Sequence, residues 1–320
     1  MSVDLSVNLA GAALPNPVMT ASGCAANGRE LHRFFDIADL GAFVTKTVMA
    51  DPRSGRGTPR MAETASGMLN SIGLQGPGIS AFCDTDLTWL QSIGARVVVS
   101  IAGNTAEEFG EVAEHLAAHP AFAAVVGVEV NISCPNVANR GLVFACDPAS
   151  SHRVVSLVCE RLPRSMPIFA KLTPDVTDIV AIAAAAVEAG ADGLTMINTL
   201  LGIVIDTDRL RPQLGGTTGG LSGPAIRPVA VRAIWQVTAA IREDRLPAVP
   251  ILGVGGVRTG LDALELVAAG ASAVQVGTAT FNDPRAPLRV RDELAAALEA
   301  RGFTAFTEVI GIAHDRKVTL

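Results

Sequence analysis

Short apolar runs alternate with amphipathic stretches along most of the chain. Eight runs read as strands: 17–21 (PVMTA), 42–48 (AFVTKTV), 96–102 (RVVVSIA), 126–133 (VGVEVNIS), 167–173 (PIFAKLT), 193–199 (GLTMINT), 249–254 (VPILGV) and 273–278 (AVQVGT). A stretch of helical spacing follows each, at 29–38, 79–93, 106–118, 148–161, 176–189, 224–242, 260–269 and 284–301. Thr105 and Glu108 have capping-box spacing for the third helix. Ala189-Gly190 and Ala269-Gly270 carry the glycine stop expected at a helix C-terminus. Near-continuous apolar strands between helices predict a parallel sheet covered on both faces. An open doubly wound sheet would also show this pattern. The count of eight and the polar strand ends favour an α/β fold of one closed (β/α)₈ TIM barrel over 1–320. Insertions at 50–80 and 200–222 fall between a strand and its helix, so they are expected as loops over the C-terminal mouth.

Composition narrows the classes. Of 320 residues, 49% are hydrophobic and only 18% charged, which excludes a disordered chain. Net charge is −6 with no basic run, and aromatics are 4% with no Tyr, so nucleic acid is not an expected partner. Residues 5–28 carry no charge, but Asn8, Pro15, Asn16, Pro17 and Asn27 interrupt them. Without a run of about 18 apolar residues, a soluble, cytoplasmic chain with no membrane contact is expected. The cysteines are Cys24, Cys83, Cys134, Cys146 and Cys159, an odd number without a C-x-x-C pair, which points to reduced thiols.

The strand ends hold the candidate chemistry. Gly255-Gly256 and Gly277-Thr278 follow the last two strands, where backbone N–H groups commonly hold a phosphate in barrels. Lys46 and Lys171 sit in strands that otherwise read as core, so each ammonium needs an anionic partner. That partner is either an inward acid such as Glu129 or an anionic ligand. Asn70, Asn131, Asn136 and Asn198 add amides suited to a planar polar heterocycle. No histidine falls at a strand end, so a metal-hydrolase site or a Ser-His-Asp triad lacks parts. Cys134, before Pro135 in an Asn/Ser segment, is expected at the mouth as a base or nucleophile.

These residues lie within segments that resemble the class 1 dihydroorotate dehydrogenases, most closely the class 1B catalytic subunit. The segments are PRMAETASGMLNSIGLQGPG (59–78), VNISCPN (130–136), MINTLLGIVID (196–206), GGLSGPAIRPVAVR (219–232), ILGVGG (251–256) and AGASAVQVGTA (269–279). NPVMTASG (16–23) and FVTKT (43–47) extend the likeness to nearly the whole chain. The resemblance implies FMN, bound by Ser22, Lys46, Thr47, Asn131, Lys171, Ile197, Gly223, Gly255, Gly256, Gly277 and Thr278. It implies dihydroorotate and orotate as ligands, held by Lys46, Asn70, Ser71, Ile72, Gly73, Leu74, Asn131, Asn198 and Thr199. Cys134 becomes the base in (S)-dihydroorotate oxidation, a step of pyrimidine (UMP) biosynthesis. A homodimer and a subunit carrying FAD and an iron–sulfur cluster, as the route to NAD, are implied as well; a fumarate-linked class 1A enzyme would need no such subunit. Gly76, Ser100 and Ala145-Cys146 depart from the family pattern, and relatives often present an Asn to the flavin at the position of Ser100. A dihydropyrimidine dehydrogenase-like flavoenzyme and a phosphate-binding barrel without redox chemistry are the competing readings.

Overall fold

The computed structural model describes residues 3–133 and 144–315. Eight parallel strands form one sheet: β1 (Val18–Thr20), β2 (Phe43–Val44), β3 (Val97–Ile101), β4 (Val125–Val130), β5 (Ile168–Leu172), β6 (Gly193–Met196), β7 (Ile251–Val254) and β8 (Ala273–Val276). Their order, β1-β8-β7-β6-β5-β4-β3-β2, is chain order run around a ring. The ring closes between β1 and β2, where Met19 and Ala42 form a parallel bridge. Thr20 substitutes for a missing rung there. Its hydroxyl accepts from the Val44 N–H at 2.9 Å and donates to the Val44 carbonyl at 3.2 Å. Gly41 lies so close to this seam that a Cβ would fall 2.0 Å from the Asn16 carbonyl oxygen. The closed (β/α)₈ barrel expected from the pattern is therefore the observed fold.

Helices cover the outside: α1 (Arg29–His32), α2 (a continuous helical segment of Ile79–Ala81, Phe82–Leu87 and Thr88–Ser92), α3 (Ala106–Ala118), α4 (Pro148–Arg161), α5 (Ile179–Glu188), α6 (Arg227–Arg242), α7 (Gly260–Ala269) and α8 (Ala286–Glu299). Three details differ from expectation. The stretch 29–38 is not one helix: α1 stops after one turn and a 3₁₀ turn, Ile37–Asp39, follows. Asp36 caps that new turn by accepting from the Ala38 N–H, which directs Ile37 into the core. In α2 the central turn widens to π geometry, and the Thr88 hydroxyl donates to the Cys83 carbonyl five residues back. At α3, Thr105 caps Glu108 as expected, but the Glu108 carboxylate accepts from Asn104, not from Thr105. The reciprocal box forms instead at α7, between Thr259 and Asp262.

The insertions are not loops throughout. They supply a four-stranded antiparallel sheet in the order Leu200–Gly202, Gly219–Ser222, Gly67–Asn70, Met61–Thr64. Glycine permits its tight spacing, since a Cβ on Gly220 would fall 2.1 Å from Thr199 Oγ1. The glycine content that reads as loop is what lets these strands close over the mouth. A small cluster of Ala62, Leu69 and Leu214 gives this sheet its own apolar underside. Among the described residues, no helix is long and apolar enough to cross a membrane.

The seam yields a test. Thr20→Val keeps the shape but strands the buried Val44 N–H and C=O. Leaving one such group unpaired costs about 1–3 kcal/mol. Urea unfolding should show that loss for Thr20→Val and a much smaller one for Thr20→Ser.

Candidate active site

Strand ends and the antiparallel sheet border two adjoining cavities at the mouth, beside a further one of about 630 Å³ that Lys46 and Thr47 also line. The larger of the adjoining two holds about 510 Å³, and Gly223, Gly255, Gly256, Gly277 and Thr278 line it. Gly223 (φ +91°), Gly255 (+138°) and Gly256 (+76°) adopt backbone conformations that other residues strain to reach. A Cβ on Gly256 would fall 2.6 Å from the Arg227 Cβ. Among the described residues, none accepts a hydrogen bond from the N–H of Gly256, Gly277 or Thr278. Three unpartnered amides converging on one cavity fit a phosphate. The Thr278 hydroxyl donates to Ser222 Oγ at 2.8 Å, which ties the sheet to this end of the barrel.

The smaller cavity holds about 290 Å³. Lys46, Thr47, Asn70, Ile72, Gly73, Leu74 and Asn131 line it. The cavities share Ser22, Lys171, Asn198 and Thr199, so they are halves of one site. Ile197 joins the larger half. Gly73 (φ +81°) and Leu74 (φ +54°) turn the segment from Asn70 beneath the rim. Ser71 is placed differently: it is buried, belongs to neither lining, and its hydroxyl has no partner among the described residues. Cys134 and residues 135–143 lie outside the described residues.

Lys171 meets the inward acid and also faces the cavities. Its ammonium donates to Glu129 Oε1 at 3.2 Å, inside the barrel, while the side chain also lines both cavities. Glu129 is fully buried, and its second oxygen accepts from Gln275 Nε2 at 3.1 Å. The inward acid is thus the lysine's partner, and the pair forms the floor of the site. Lys46 sits beyond the end of β2 and opens onto the smaller cavity.

Hydroxyls and amides connect the wall. Thr47 Oγ1 lies 3.1 Å from Ser22 Oγ and 2.9 Å from Ser100 Oγ, and it accepts from Asn131 Nδ2 at 3.1 Å. Asn131 Oδ1 accepts from Ser133 and from Asn198. Ser100 is completely buried and lines neither cavity. At the departure Gly76, the backbone bridges Arg53 and a Cβ would touch nothing.

Pattern reading did not single out Cys24, Ser66, Gly67, Ser222 or Arg258, all of which line the larger cavity. Only Arg258, directly after the Gly255-Gly256 turn and Val257, carried a signal, a cation beside a phosphate cradle. Cys24 touches both cavities, but burial pushes its thiol up to about 11 despite the opposing pull of Lys171 and Lys46. It stays protonated at neutral pH.

A closed barrel with a phosphate cradle beside a lysine- and amide-lined chamber defines a C-terminal-mouth enzyme for a planar, phosphate-bearing group and a small polar ring. The sequence profile of the family described as dihydroorotate dehydrogenase matches residues 4–298. Three similar proteins carry the name dihydroorotate dehydrogenase B (NAD(+)), catalytic subunit. One from Geotalea uraniireducens is 49% identical over 308 residues, covering 96% of this chain and 97% of its own. One from Pelobacter propionicus is 47% identical over 97% of this chain and 99% of its own. One from Geobacillus kaustophilus is 46% identical over 96% and 95%. The chain belongs to the dihydroorotate dehydrogenase family.

The four described cysteines differ in reach. Cys83 and Cys159 are also held up by burial, to about 12 and about 11. At pH 8 iodoacetamide should alkylate exposed Cys146 well before Cys24, Cys83 and Cys159. Labelling of Cys24 should rise about tenfold per pH unit up to its pKa, because the thiolate is the reactive form. Peptide mapping by mass spectrometry reads both outcomes.

Proposed function

We propose that this chain oxidises (S)-dihydroorotate to orotate, with FMN in the larger cavity and substrate in the smaller. The observation that carries this is the single wall shared by a phosphate cradle and a lysine–asparagine chamber. Such contiguity sets a ring-binding cofactor against a small polar ring. Gly223, Gly255, Gly256, Gly277 and Thr278 would hold the FMN phosphate and ribityl end. Ser22, Lys171 and Ile197 would face its ring system, Asn131 would reach it from the smaller half, and Thr47 would stand behind Ser22. FMN, when bound, supplies the acceptor for the hydride leaving C6 of the substrate.

The rest falls to the chain's own side chains. Lys46, Asn70, Asn198 and Thr199 bind the carboxylate and ring polar groups, with the 70–74 turn as one wall. That binding fixes the substrate's orientation before reaction. Cys134, as thiolate, takes the C5 proton as C6 is oxidised. Lys171 places positive charge where negative charge accumulates. Its bond to Glu129 keeps that charge in place.

The relatives' name, catalytic subunit, supports a second subunit in this system. We assign it an FAD and an iron–sulfur cluster as the route to NAD, with this chain as a homodimeric core in the cytoplasm, acting over 1–320 as one FMN-binding domain. Efficient fumarate reduction by the isolated chain would overturn that assignment. Anaerobic mixing with dihydroorotate should bleach the flavin, and dihydrouracil should not. Bleaching by dihydrouracil alone would favour a dihydropyrimidine dehydrogenase, and absence of a flavin spectrum a barrel without redox chemistry.

Two variants test the roles. Cys134→Ala should slow flavin reduction at saturating dihydroorotate by about 10²–10⁴-fold, the usual yield of general base catalysis, with FMN still bound. Lys171→Ala should slow reduction and loosen FMN, and also destabilise the fold by about 3–5 kcal/mol, because Glu129 is left buried and unpaired. Lys171→Met combined with Glu129→Gln should recover much of that stability without restoring the reduction rate.

A further inference from the structure

We propose that Thr47 is a positioning residue that directs the Ser22 hydroxyl proton toward the cofactor cavity. The inference rests on the FMN reading above, and its basis is hydrogen-bond counting. The Thr199 N–H donates to Asn198 Oδ1 at 2.8 Å, which fixes that amide with its NH₂ turned inward. Both Asn198 amide protons are then used, one on Asn131 Oδ1 at 3.2 Å and one on Ser133 Oγ at 2.7 Å. The Ser133 hydroxyl donates to Asn131 Oδ1 at 3.0 Å. Asn131 therefore turns its NH₂ toward Thr47 and donates to Oγ1 at 3.1 Å.

Ser100 enters from the other side. Among the described residues, Thr47 Oγ1 is the one hydrogen-bond partner of its hydroxyl, at 2.9 Å, and Ser100 is completely buried. A buried O–H left without an acceptor costs about 1–3 kcal/mol, so Ser100 donates to Thr47. Thr47 oxygen now accepts twice, which is its capacity. Among the described residues, its own proton has one acceptor left, Ser22 Oγ at 3.1 Å. Ser22 accepts from Thr47 and turns its proton into the cavity. Among the described residues, the second Nδ2 proton of Asn131 is likewise unclaimed, and this side chain lines the smaller half. The wall thus offers protons from Ser22, Asn131 and Lys171. Such a wall binds a ring edge more tightly as that edge gains electron density, because bonds to a charged acceptor are stronger. Thr47 acts on the reduced state of the cofactor through Ser22, without touching the reacting atoms.

The test is the midpoint potential of bound FMN in the purified holoenzyme, titrated anaerobically. Ser22→Ala should lower the reduced-to-oxidised ratio about tenfold at fixed potential, about 30 mV for a two-electron couple. Thr47→Val should lower it about threefold, about 15 mV, and Thr47→Ser should restore the wild-type value. In a Ser22→Ala background Thr47→Val should add nothing, since it acts through that hydroxyl. Unshifted potentials, or additive effects in the double variant, would overturn the inference. Neutron diffraction from crystals of the holoenzyme gives a reading that needs no variant: deuterium on Thr47 Oγ1 directed at Ser22 supports it, and deuterium directed at Ser100 overturns it. Wild-type protein that binds no FMN would instead overturn the functional reading, and this inference with it.

Discussion

A carboxylate sealed inside the barrel constrains everything above it. Glu129 has no access to water, so its charge must be met by protein donors. One oxygen takes the Lys171 ammonium from the neighbouring strand β5; the other takes Gln275 from β8, across the interior. The bond to Gln275 links two strands that share no ladder, so one carboxylate ties opposite walls together. A buried ion pair of this kind is no bargain for stability, since well-packed apolar side chains often replace one without loss. Its effect is positional. It holds a cation where the packed interior gives way to the cavity.

Above that floor the work divides by chemistry. Backbone amides at glycine turns handle the anionic end of the site, because an amide without a side chain in the way can approach closely. Side-chain hydroxyls and amides handle the polar rings. The antiparallel sheet contributes Asn70 and, through its edge at Leu200–Gly202, fixes Thr199 beside Asn198. Asp175, just past β5, accepts from the Leu201 N–H at 3.0 Å and so pins this sheet to the barrel. The chamber is therefore built between two rigid sheets, which holds its walls to a fixed separation.

The barrel was legible because each element repeats one rule: apolar strand, polar end, amphipathic helix. Helices 106–118, 148–161 and 260–269 have the observed bounds. Lysines in apolar strands and glycines at strand ends marked the floor and the cradle for the same reason, since each breaks the local rule. Tertiary contacts hid the remainder. The sheet formed by 61–70 and 200–222 pairs segments about 150 residues apart, and neither half has strand periodicity strong enough to stand alone. Ser71 reads as a ligand-facing polar residue within Asn70–Leu74, yet the turn buries it. Cys24 reads only as a reduced thiol, yet it is cavity wall, beside Gly23 where the chain turns at φ +89°.

Polarity is the least legible property, and it matters most at this site. Sequence gives the kinds of hydrogen-bonding groups; only their placement decides which donate. Asn131 could present either end of its amide, and Ser22 either its proton or its lone pairs. The Thr199 N–H can only donate, and among the described residues the buried Ser100 O–H has one place to donate. Those two fixed ends leave a single consistent arrangement between them. Preorganised donors act without reorienting when charge develops, which is where electrostatic catalysis draws its advantage over water. A network fixed at both ends, beside a lysine held by a carboxylate sealed from water, meets that requirement with neutral side chains.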